Sequence, residues 1–487
     1  MLIRSLRLAS LPRDLRIEEG TITEISPHLA ARPGEEVHDA GGAAAIPGLW
    51  DQHVHVGQAA HGATRLDTSG VRSTEECGQL VAATLRAGRA GTLVGFGHRL
   101  VDFPQPPTVA ALDAVSSTVP IVLIGGDAHH AWMNTPALAG LGLPPRRGIV
   151  AEEEWFDAVA HLADLPGVAE GLEAGVRRLQ EEALARGVVG LVDMEWADNH
   201  ALWARRDPML RVRTATYASG LDGVPGPTGT PIGDTGLVSV GPLKVILDGS
   251  LGSRSAYCRH PYGAAGGHAH GRGVLNVDAD ALEQLLRRAA ALGLAAAVHA
   301  IGDAAAGLAL EVLDRTGFPH PVRLEHAQML ADADIAALAR RGAIASVQPA
   351  HLLEDRDATE ELWPGQGGAA FRFRDLLAAS VPLAFGSDAP VAPIDPWLAM
   401  AAAVHRSADE RPGWHAEQQL SPAEALAAST DGVHELAVGG RGDLVLLEED
   451  PFAVSPGAAD GARGSADRLR AVRPLATFVA GRLAFSR

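Results

Sequence analysis

The stretch AAAIPGLWDQHVH, residues 43–55, joins an apolar run to two histidines two positions apart. Side chains two positions apart in an extended strand point to the same face, so His53 and His55 are predicted to lie together at the carboxyl end of a strand. Two histidines on one face also occur by chance in loops. What this stretch means therefore depends on the residues that the rest of the chain places beside it.

Seven further apolar runs follow and alternate with alanine- and leucine-rich helical patterns. Alternating strands and helices are typical of parallel α/β folds, and eight such units close into a (β/α)8 TIM barrel with its active site at the carboxyl ends of the strands. The sequence therefore predicts an α/β barrel. The later strands are predicted at VVGLVDME (188–195), LRVRTATYA (210–218), PLKVILDG (242–249), LAAAVHAIG (294–302), VRLEHAQ (322–328), AIASVQP (343–349) and PLAFGSD (382–388).

Two parts of the chain do not fit the barrel. About 130 residues separate the first two predicted strands, far more than a crossover needs. We therefore expect an inserted subdomain at 57–172, placed where it can roof the barrel. Short strand-like segments at both termini predict a composite β-sandwich domain from residues 1–45 and 438–487, which leaves 46–437 for the barrel domain.

Composition narrows the class of protein. The 487 residues are 47% hydrophobic and 21% charged, as in a folded globular protein. A formal net charge of −18 disfavours nucleic acid and anionic membranes as partners, so a small-molecule substrate is expected. Only Cys77 and Cys258 are present, and no long apolar segment is found, which predicts a soluble cytoplasmic protein. A homodimer stays open.

Lysine usage singles out one residue. Lysine and arginine together number 41, yet Lys244 is the only lysine in the sequence. An amine can lose its proton and become a nucleophile, whereas a guanidinium stays protonated. Lys244 is therefore predicted to do something that arginine cannot, although the survival of one lysine by chance is the alternative.

Polar residues cluster at the carboxyl ends of the predicted strands. His299 ends the fifth strand, His326 the sixth and Asp388 the eighth, while Lys244 and Asp248 share one face of the fourth. Several neutral imidazoles with a carboxylate are the ligands that a zinc-like ion prefers. Taken singly, each histidine is explained as well by a structural role. The set as a whole predicts a divalent-metal site.

Such a site is suited to hydrolysis. A divalent cation lowers the pKa of a bound water to about 7 and polarises a scissile carbonyl. A carboxylate beside it can take the proton and deliver it to the leaving nitrogen. Asp388 is the candidate for this catalytic role, and the alternative is that it only starts a turn in GSDAPVAP.

The motifs resemble the amidohydrolase superfamily, and within it the N-substituted formamide deformylase-like branch. The resemblance implies a barrel flanked by a small β-domain and two metal ions, of zinc type, bridged by a carboxylated Lys244. The segments that carry it are PGLWDQHVH, DAHHAWMNTPAL, LKVILDGSLGSRSA, HAIGDAA, LEHAQ, SVQP, GSDAPV, SPAEALAAST and GDLVLLEEDP. The metal ligands that it implies are His53, His55, Lys244, His299, His326 and Asp388.

Five further residues are secondary candidates. His129 occupies a histidine position of the family and, with Trp132, is predicted to contact substrate; a surface role for His129 stays open. Asp248 and Arg254 lie in DGSLGSR, where the arginine is suited to bind a carboxylate or carbonyl, or else to form an ion pair within the loop. Asp303 is predicted either to fix its loop or to orient a metal ligand without binding the metal itself.

These observations predict a metal-dependent amidohydrolase that uses activated water to hydrolyse a non-peptide carbon–nitrogen bond of a small molecule. An N-acyl or N-formyl amine is favoured by the resemblance alone. An aminohydrolase (deaminase) and a metal-dependent ester or lactone hydrolase stay open as alternatives. A non-catalytic scaffold is disfavoured because the ligand set has no gap. Ligand type leaves zinc, manganese, iron and nickel open.

Overall fold

The eight predicted strands pair side by side, parallel and in chain order, in the computed structural model of the chain, which confirms the α/β barrel. They are buried along most of their length, as expected where helices cover a parallel sheet. The structure describes residues 1–88, 91–98, 100, 103–126, 130–159, 161–252, 254–263, 271–452 and 461–487. The barrel strands are Leu49–Val54, Val188–Asp193, Arg211–Thr216, Val238–Ile246, Ala296–Ala300, Val322–His326, Ile344–Val347 and Leu383–Phe385.

The eighth strand returns to the first at the carboxyl end of the barrel. The Asp388 N–H donates to the His53 carbonyl at 2.7 Å, and the His55 N–H donates to the Ala389 carbonyl at 2.9 Å. A Cβ at Gly386 would lie only 2.7 Å from the His53 nitrogen, so a side chain there would push the two strands apart. Glycine therefore lets Asp388 come beside the two histidines.

The first predicted strand is in fact two strands, so its prediction as one continuous strand was wrong. Ala44–Pro47 pairs antiparallel with Leu444–Leu447 in the terminal sheet, and Leu49–Val54 belongs to the barrel. The break falls at Gly48, whose N–H donates to the Asp443 carbonyl at 3.0 Å. Apolar periodicity does not distinguish one long strand from two that meet at a Pro-Gly pair.

The two ends of the chain combine in one eight-stranded sheet, as the predicted fold class requires. Its first two strands form an antiparallel hairpin, and its apolar side chains make a separate hydrophobic cluster. The strands are Leu2–Leu8, Leu11–Glu18, Thr21–Ser26, Val37–Asp39, Ala44–Pro47, Leu444–Leu447, Ala476–Val479 and Arg482–Ser486.

Residues Val56–Leu179 form a compact unit of their own, inserted after the first barrel strand. A five-stranded sheet of Leu66–Asp67, Leu93–His98, Ile121–Gly125, His130–Met133 and Val150–Ala151 forms its centre. Its helices are Val56–Thr64, Thr74–Arg86, Val109–Asp113, Thr135–Gly140, Glu152–Val159, the 3-10 turn Leu162–Asp164 and Val168–Ala185, which continues past the unit.

The helices of the barrel unit begin and end with local capping signals. The Asp278 carboxylate accepts the Ala281 N–H at the start of Ala279–Ala291, and Gly317 ends the next helix in the left-handed conformation. In the described part of the chain, no helix has the length and apolar character needed to span a bilayer. The other helices of this unit are Asn199–Trp203, Asp303–Thr316, Asp332–Arg341, Leu352–Leu362, Phe373–Ala378, Pro396–His405, Pro422–Ala428 and Gly461–Ala471, with 3-10 turns at Ala218–Gly223, Pro349–His351, Gly367–Ala369 and Ala416–Gln418 and a short strand at Pro231–Ile232.

Candidate metal centre

The histidines of the first strand lie beside the carboxylate that follows the eighth. Asp388 Oδ1 is 3.5 Å from His53 Nε2 and 3.3 Å from His55 Nε2. Lys244 Nζ, from the fourth strand, is 3.3 Å from His53 Nε2. Ligand atoms bound tetrahedrally at roughly 2.0–2.1 Å from an ion are separated by about 3.3 Å, so these spacings are suited to one divalent cation.

A second set of histidines faces the other oxygen of the same carboxylate. His351 Nε2 lies 4.0 Å from Asp388 Oδ2. His326, His351 and Asp388 offer ligand atoms within 4.8 Å of one another. The ring centroids of His299 and His326 are 4.4 Å apart. The structure thus brings all six predicted ligands into one region at the carboxyl ends of the strands.

His351 is absent from the predicted set, and the structure places it in the same region. It follows the seventh strand in SVQPAH and ends a 3-10 turn, with Nε2 3.2 Å from the Ser387 carbonyl oxygen. A histidine just past a strand end is the signal that would have identified it, because the carboxyl ends of barrel strands meet at one face.

Burial keeps His53, His299 and His326 neutral. It lowers the pKa of His53 to about 4 and that of His299 to about 3, with a further lowering from the charge of Lys244. Burial also lowers the pKa of His326 well below its ordinary value. A neutral imidazole has the lone pair that a metal needs. These three imidazoles therefore have a free lone pair available for a metal ion.

Asp388 is ionised in this surrounding. Burial alone would raise its pKa, but electrostatic interactions with the His53 and His326 rings and a hydrogen bond with His55 together hold the pKa well below the usual range. Its backbone has a φ of 58°, in the left-handed region. The turn after Gly386 thus holds a carboxylate, rather than a carboxylic acid, against the histidines.

Lys244 is buried, with 2% of its surface exposed. Burial lowers its pKa to about 8, even though the carboxylates of Glu325 and Asp388 act in the opposite direction. An amine with this pKa is uncharged in an appreciable fraction of molecules near neutral pH, and only the uncharged amine is a nucleophile. The site therefore makes its one lysine chemically reactive.

A buried ion pair fixes the orientation of His53. His53 Nδ1 is 2.8 Å from Glu325 Oε2, and Glu325 Oε1 accepts the Nε–H of Arg323 at 2.8 Å. Arg323 also donates to the Gln52 side chain and to Ser346. A carboxylate on one imidazole nitrogen leaves the other nitrogen free for a metal. His53 Nε2 is the atom that faces Asp388 and Lys244.

Two ring nitrogens of the site indicate that these residues are suited to a cation. His55 Nδ1 and His326 Nδ1 are buried and have no hydrogen-bond partner among the described residues. His326 has a φ of 68°, which is strained for a residue with a side chain. Buried polar atoms without a partner are unfavourable unless a ligand or ion satisfies the group. The donor set fits the divalent metal that the sequence predicts.

A cavity of about 380 Å³ opens beside these residues. His299, His326 and Asp388 line one side of it. Its lining also includes Gln328, which donates to Asp355 at 3.0 Å. The volume is in the range that accommodates a small organic molecule.

Comparison with known proteins agrees with this geometry. Residues 36–485 match the model of the amidohydrolase family. The chain belongs to this family. Its relatives include Protein LONG AFTER FAR-RED 3 of Arabidopsis thaliana, 27% identical over 79% of this chain and 73% of the relative. N-substituted formamide deformylase of Arthrobacter pascens is 25% identical over 96% of this chain and 93% of the relative.

Solved structures share the fold of this amidohydrolase. An uncharacterised metal-dependent hydrolase from Pyrococcus furiosus superposes with a TM-score of 0.76 at 24% identity, over 93% of this chain and 99% of that chain. Likeness at this identity establishes the architecture, and function has to be argued from the site itself.

Asp248 and Asp303 hold the loops around the amidohydrolase site. Asp248 is fully buried, accepts the N–H groups of Tyr257, Ile301 and Gly302, and lies 3.4 Å from His299 Nε2. Burial raises its pKa to about 7. Asp303 begins its helix and accepts the N–H of the Arg259 backbone at 2.8 Å. These contacts are with protein groups, and the predicted roles of Asp248 in substrate binding and of Asp303 beside a metal ligand stay predictions.

The remaining candidates are Trp132, Arg254 and His129. Trp132 is fully buried in the inserted unit, where its indole N–H donates to the Thr108 carbonyl at 2.8 Å. The substrate contact predicted for Trp132 stays a prediction. Arg254 lies in the loop after the fourth strand with a φ of 55°. His129 lies outside the described residues, and its role stays a prediction.

Proposed function

We infer that this protein is a metal-dependent amidohydrolase that hydrolyses a non-peptide amide bond of a small molecule, an N-acyl or N-formyl amine. One observation carries the proposal. His53 Nε2 and His55 Nε2 lie within 3.5 Å of one oxygen of Asp388, at the spacing of ligands around one cation. The relatives that include a deformylase support the choice of an amide.

The residues that would hold the cations are those that the sequence predicts. His53, His55 and Asp388 would hold one ion, and His299 and His326 a second. Zinc is the metal that this nitrogen-rich set suits best. When bound, such an ion polarises the scissile carbonyl and makes water more acidic.

Lys244 is the residue that we propose to join the two positions. Its uncharged amine would attack carbon dioxide, forming a carbamate and releasing one proton. The product carries two oxygens and a negative charge where the amine had none. Arginine lacks this chemistry, which gives a reason for the only lysine in the chain.

Asp388 would move the proton during hydrolysis. An ionised carboxylate can accept a proton from water as it attacks the carbonyl and can deliver it to the nitrogen that leaves. Its low pKa keeps it in the accepting form at neutral pH. Gly386 and the hydrogen bond from the Asp388 N–H to the His53 carbonyl hold Asp388 in place.

The test is a hydrolysis screen with the metal-loaded protein. Chain reconstituted with zinc or manganese in bicarbonate buffer is assayed against matched amides, amidines, lactones and esters, with Asp388→Asn as the control. Release of amine from amides, lost in the control variant, is the expected result. Release of ammonia from amidines would favour the aminohydrolase, hydrolysis of esters alone the esterase, and no turnover in the entire panel would contradict the proposal.

A further inference from the structure

One exposed tryptophan lies at the carboxyl end of the barrel. Trp196 is 69% exposed, while the other seven tryptophans of the chain are buried. It follows the second barrel strand and stacks on Tyr217, which follows the third, with ring centroids 4.9 Å apart and planes 6° from parallel. One face of the indole is thus fixed on a neighbour and most of the rest is open.

Backbone contacts connect this pair to the metal centre. The Met194 N–H donates to the carbonyl of Val54 at 2.7 Å, and Val54 lies between His53 and His55. The Tyr217 hydroxyl donates to the Met194 carbonyl at 2.7 Å. Two hydrogen bonds therefore fix the stacked rings relative to the segment that carries the first two metal ligands.

Tyr217 is a firm support for the tryptophan. Burial, and after it the charges of Glu195 and Asp193, raise the pKa of its phenol. The hydroxyl therefore keeps its proton and its bond to Met194. A ring held in this way leaves Trp196 oriented before any ligand arrives, which reduces the ordering that binding requires.

Trp196 exposes a large apolar ring to water, which is unfavourable, and it does so in a loop at the carboxyl end of the barrel, where this fold binds its substrates. Indole rings favour stacking on flat π-systems over packing on puckered aliphatic rings. We propose that Trp196, supported by Tyr217, binds a planar unsaturated ring of the substrate. This deepens the proposed function, since it rests on a substrate that reaches the metal centre.

Trp196 is then a specificity-determining residue, and the substrates are amides that carry an aromatic or heteroaromatic ring. The ring contributes binding through its flat face. A cyclohexyl group of similar size makes poorer contact with the same surface. Discrimination between the two is therefore the property to measure.

The test uses two ligands that contain no carbonyl to hydrolyse. Phenylmethyl and cyclohexylmethyl methanesulfonamides are titrated by calorimetry into the metal-loaded protein and its Trp196→Ala and Trp196→Phe variants. Leu11→Ala, which removes a 54% exposed side chain from the terminal sheet, is the matched control. The wild type is expected to prefer the phenyl ligand, and Trp196→Ala to reduce that preference about three- to tenfold. Trp196→Phe and Leu11→Ala are expected to retain it.

Each other outcome is decisive. Three results would overturn the proposal that Trp196 binds a planar ring. They are an equal loss of affinity for both ligands in Trp196→Ala, an unchanged preference in that variant, and no phenyl preference in the wild type at millimolar concentration. The two corresponding amides are assayed in parallel for hydrolysis. If neither these amides nor any compound of the hydrolysis screen is hydrolysed but the preference depends on Trp196, the amidohydrolase proposal fails while the binding of an aromatic ring by Trp196 stands.

Discussion

The two ends of the barrel contain cavities of opposite character. At the amino end, a cavity of about 500 Å³ is lined by residues that precede the strands, among them Ala295, Pro321 and Pro382. Arg213 in its wall makes two hydrogen bonds, at 2.6 and 2.7 Å, with Asp431. At the carboxyl end, the smaller cavity of about 380 Å³ lies against the candidate metal ligands.

The candidate site is therefore identified by whether its polar groups have hydrogen-bond partners, and not by the volume of its cavity. Around the larger cavity, Arg213, Arg323 and Asp431 make hydrogen bonds with oppositely charged groups. Around the smaller one, neutral imidazoles with buried unpaired nitrogens surround an ionised carboxylate. Buried polar groups without a partner indicate a binding site at the carboxyl end of the barrel, whereas paired polar groups stabilise the fold.

The largest expected effect is a difference in kcat/KM between two variants, each of which replaces one carboxylate at one end of the barrel. Asp388→Asn removes the proton acceptor and should lower kcat/KM by about 10²–10⁴-fold. Asp431→Asn should leave kcat/KM within about threefold, because the groups that it bonds, Arg213, Arg441 and Gln52, are not metal ligands. Steady-state assays on the best substrate of the amide screen measure both. Equal losses in the two variants would remove the distinction between the ends.

The next effect is on metal binding. Lys244→Arg keeps the charge of a protonated lysine but cannot form a carbamate, so metal affinity should fall about 10–100-fold. Elemental analysis should find two ions per chain in the wild type and at most one in the variant. Intact mass before and after acid should show a labile adduct of about 44 Da in the wild type alone. A full metal complement and rate in the variant would exclude the bridging role.

The free energy of unfolding is expected to depend more on Asp431 than on Asp388, the reverse of the order expected for activity. Asp431→Asn breaks hydrogen bonds to Arg213, Arg441 and Gln52 and should lower the free energy of unfolding by about 1–3 kcal/mol. In the metal-free protein, Asp388→Asn should lower it less, since the ionised carboxylate is held in a desolvated site. Urea denaturation of the metal-free variants compares them. A larger loss from Asp388→Asn would show that the carboxyl end is also built for stability.

The smallest effect is a pH dependence of the metal-free protein. The pKa of His299 is lowered to about 3 in the folded chain, so between pH 7 and 5.5 the unfolded chain takes up protons that the folded chain does not. The free energy of unfolding should fall by about 1 kcal/mol for each such histidine over this interval. His299→Asn should flatten the dependence, while His260→Gln, at an exposed position, should leave it unchanged. A wild-type protein with constant stability over this interval would contradict the burial argument.

Much of the fold could be predicted because its signals are local. Apolar runs bounded by glycine predicted all eight barrel strands, and their order followed from the rules of parallel sheets. The division of residues 43–55 between two sheets could not be read, since Pro47 and Gly48 interrupt the strand without changing its apolar pattern. Glu325 was overlooked beside His326, although a carboxylate in a buried strand is itself a signal.

The sequence alone determined the barrel and the residue types at its strand ends, because side-chain alternation and strand order are properties of neighbouring residues. It also identified Lys244, because composition shows that the chain has no other lysine. Only the tertiary structure decided that both oxygens of Asp388 face histidines, that His351 joins them and that Trp132 is buried while Trp196 is exposed. Those facts depend on distances between residues far apart in the chain, which packing fixes and local pattern does not.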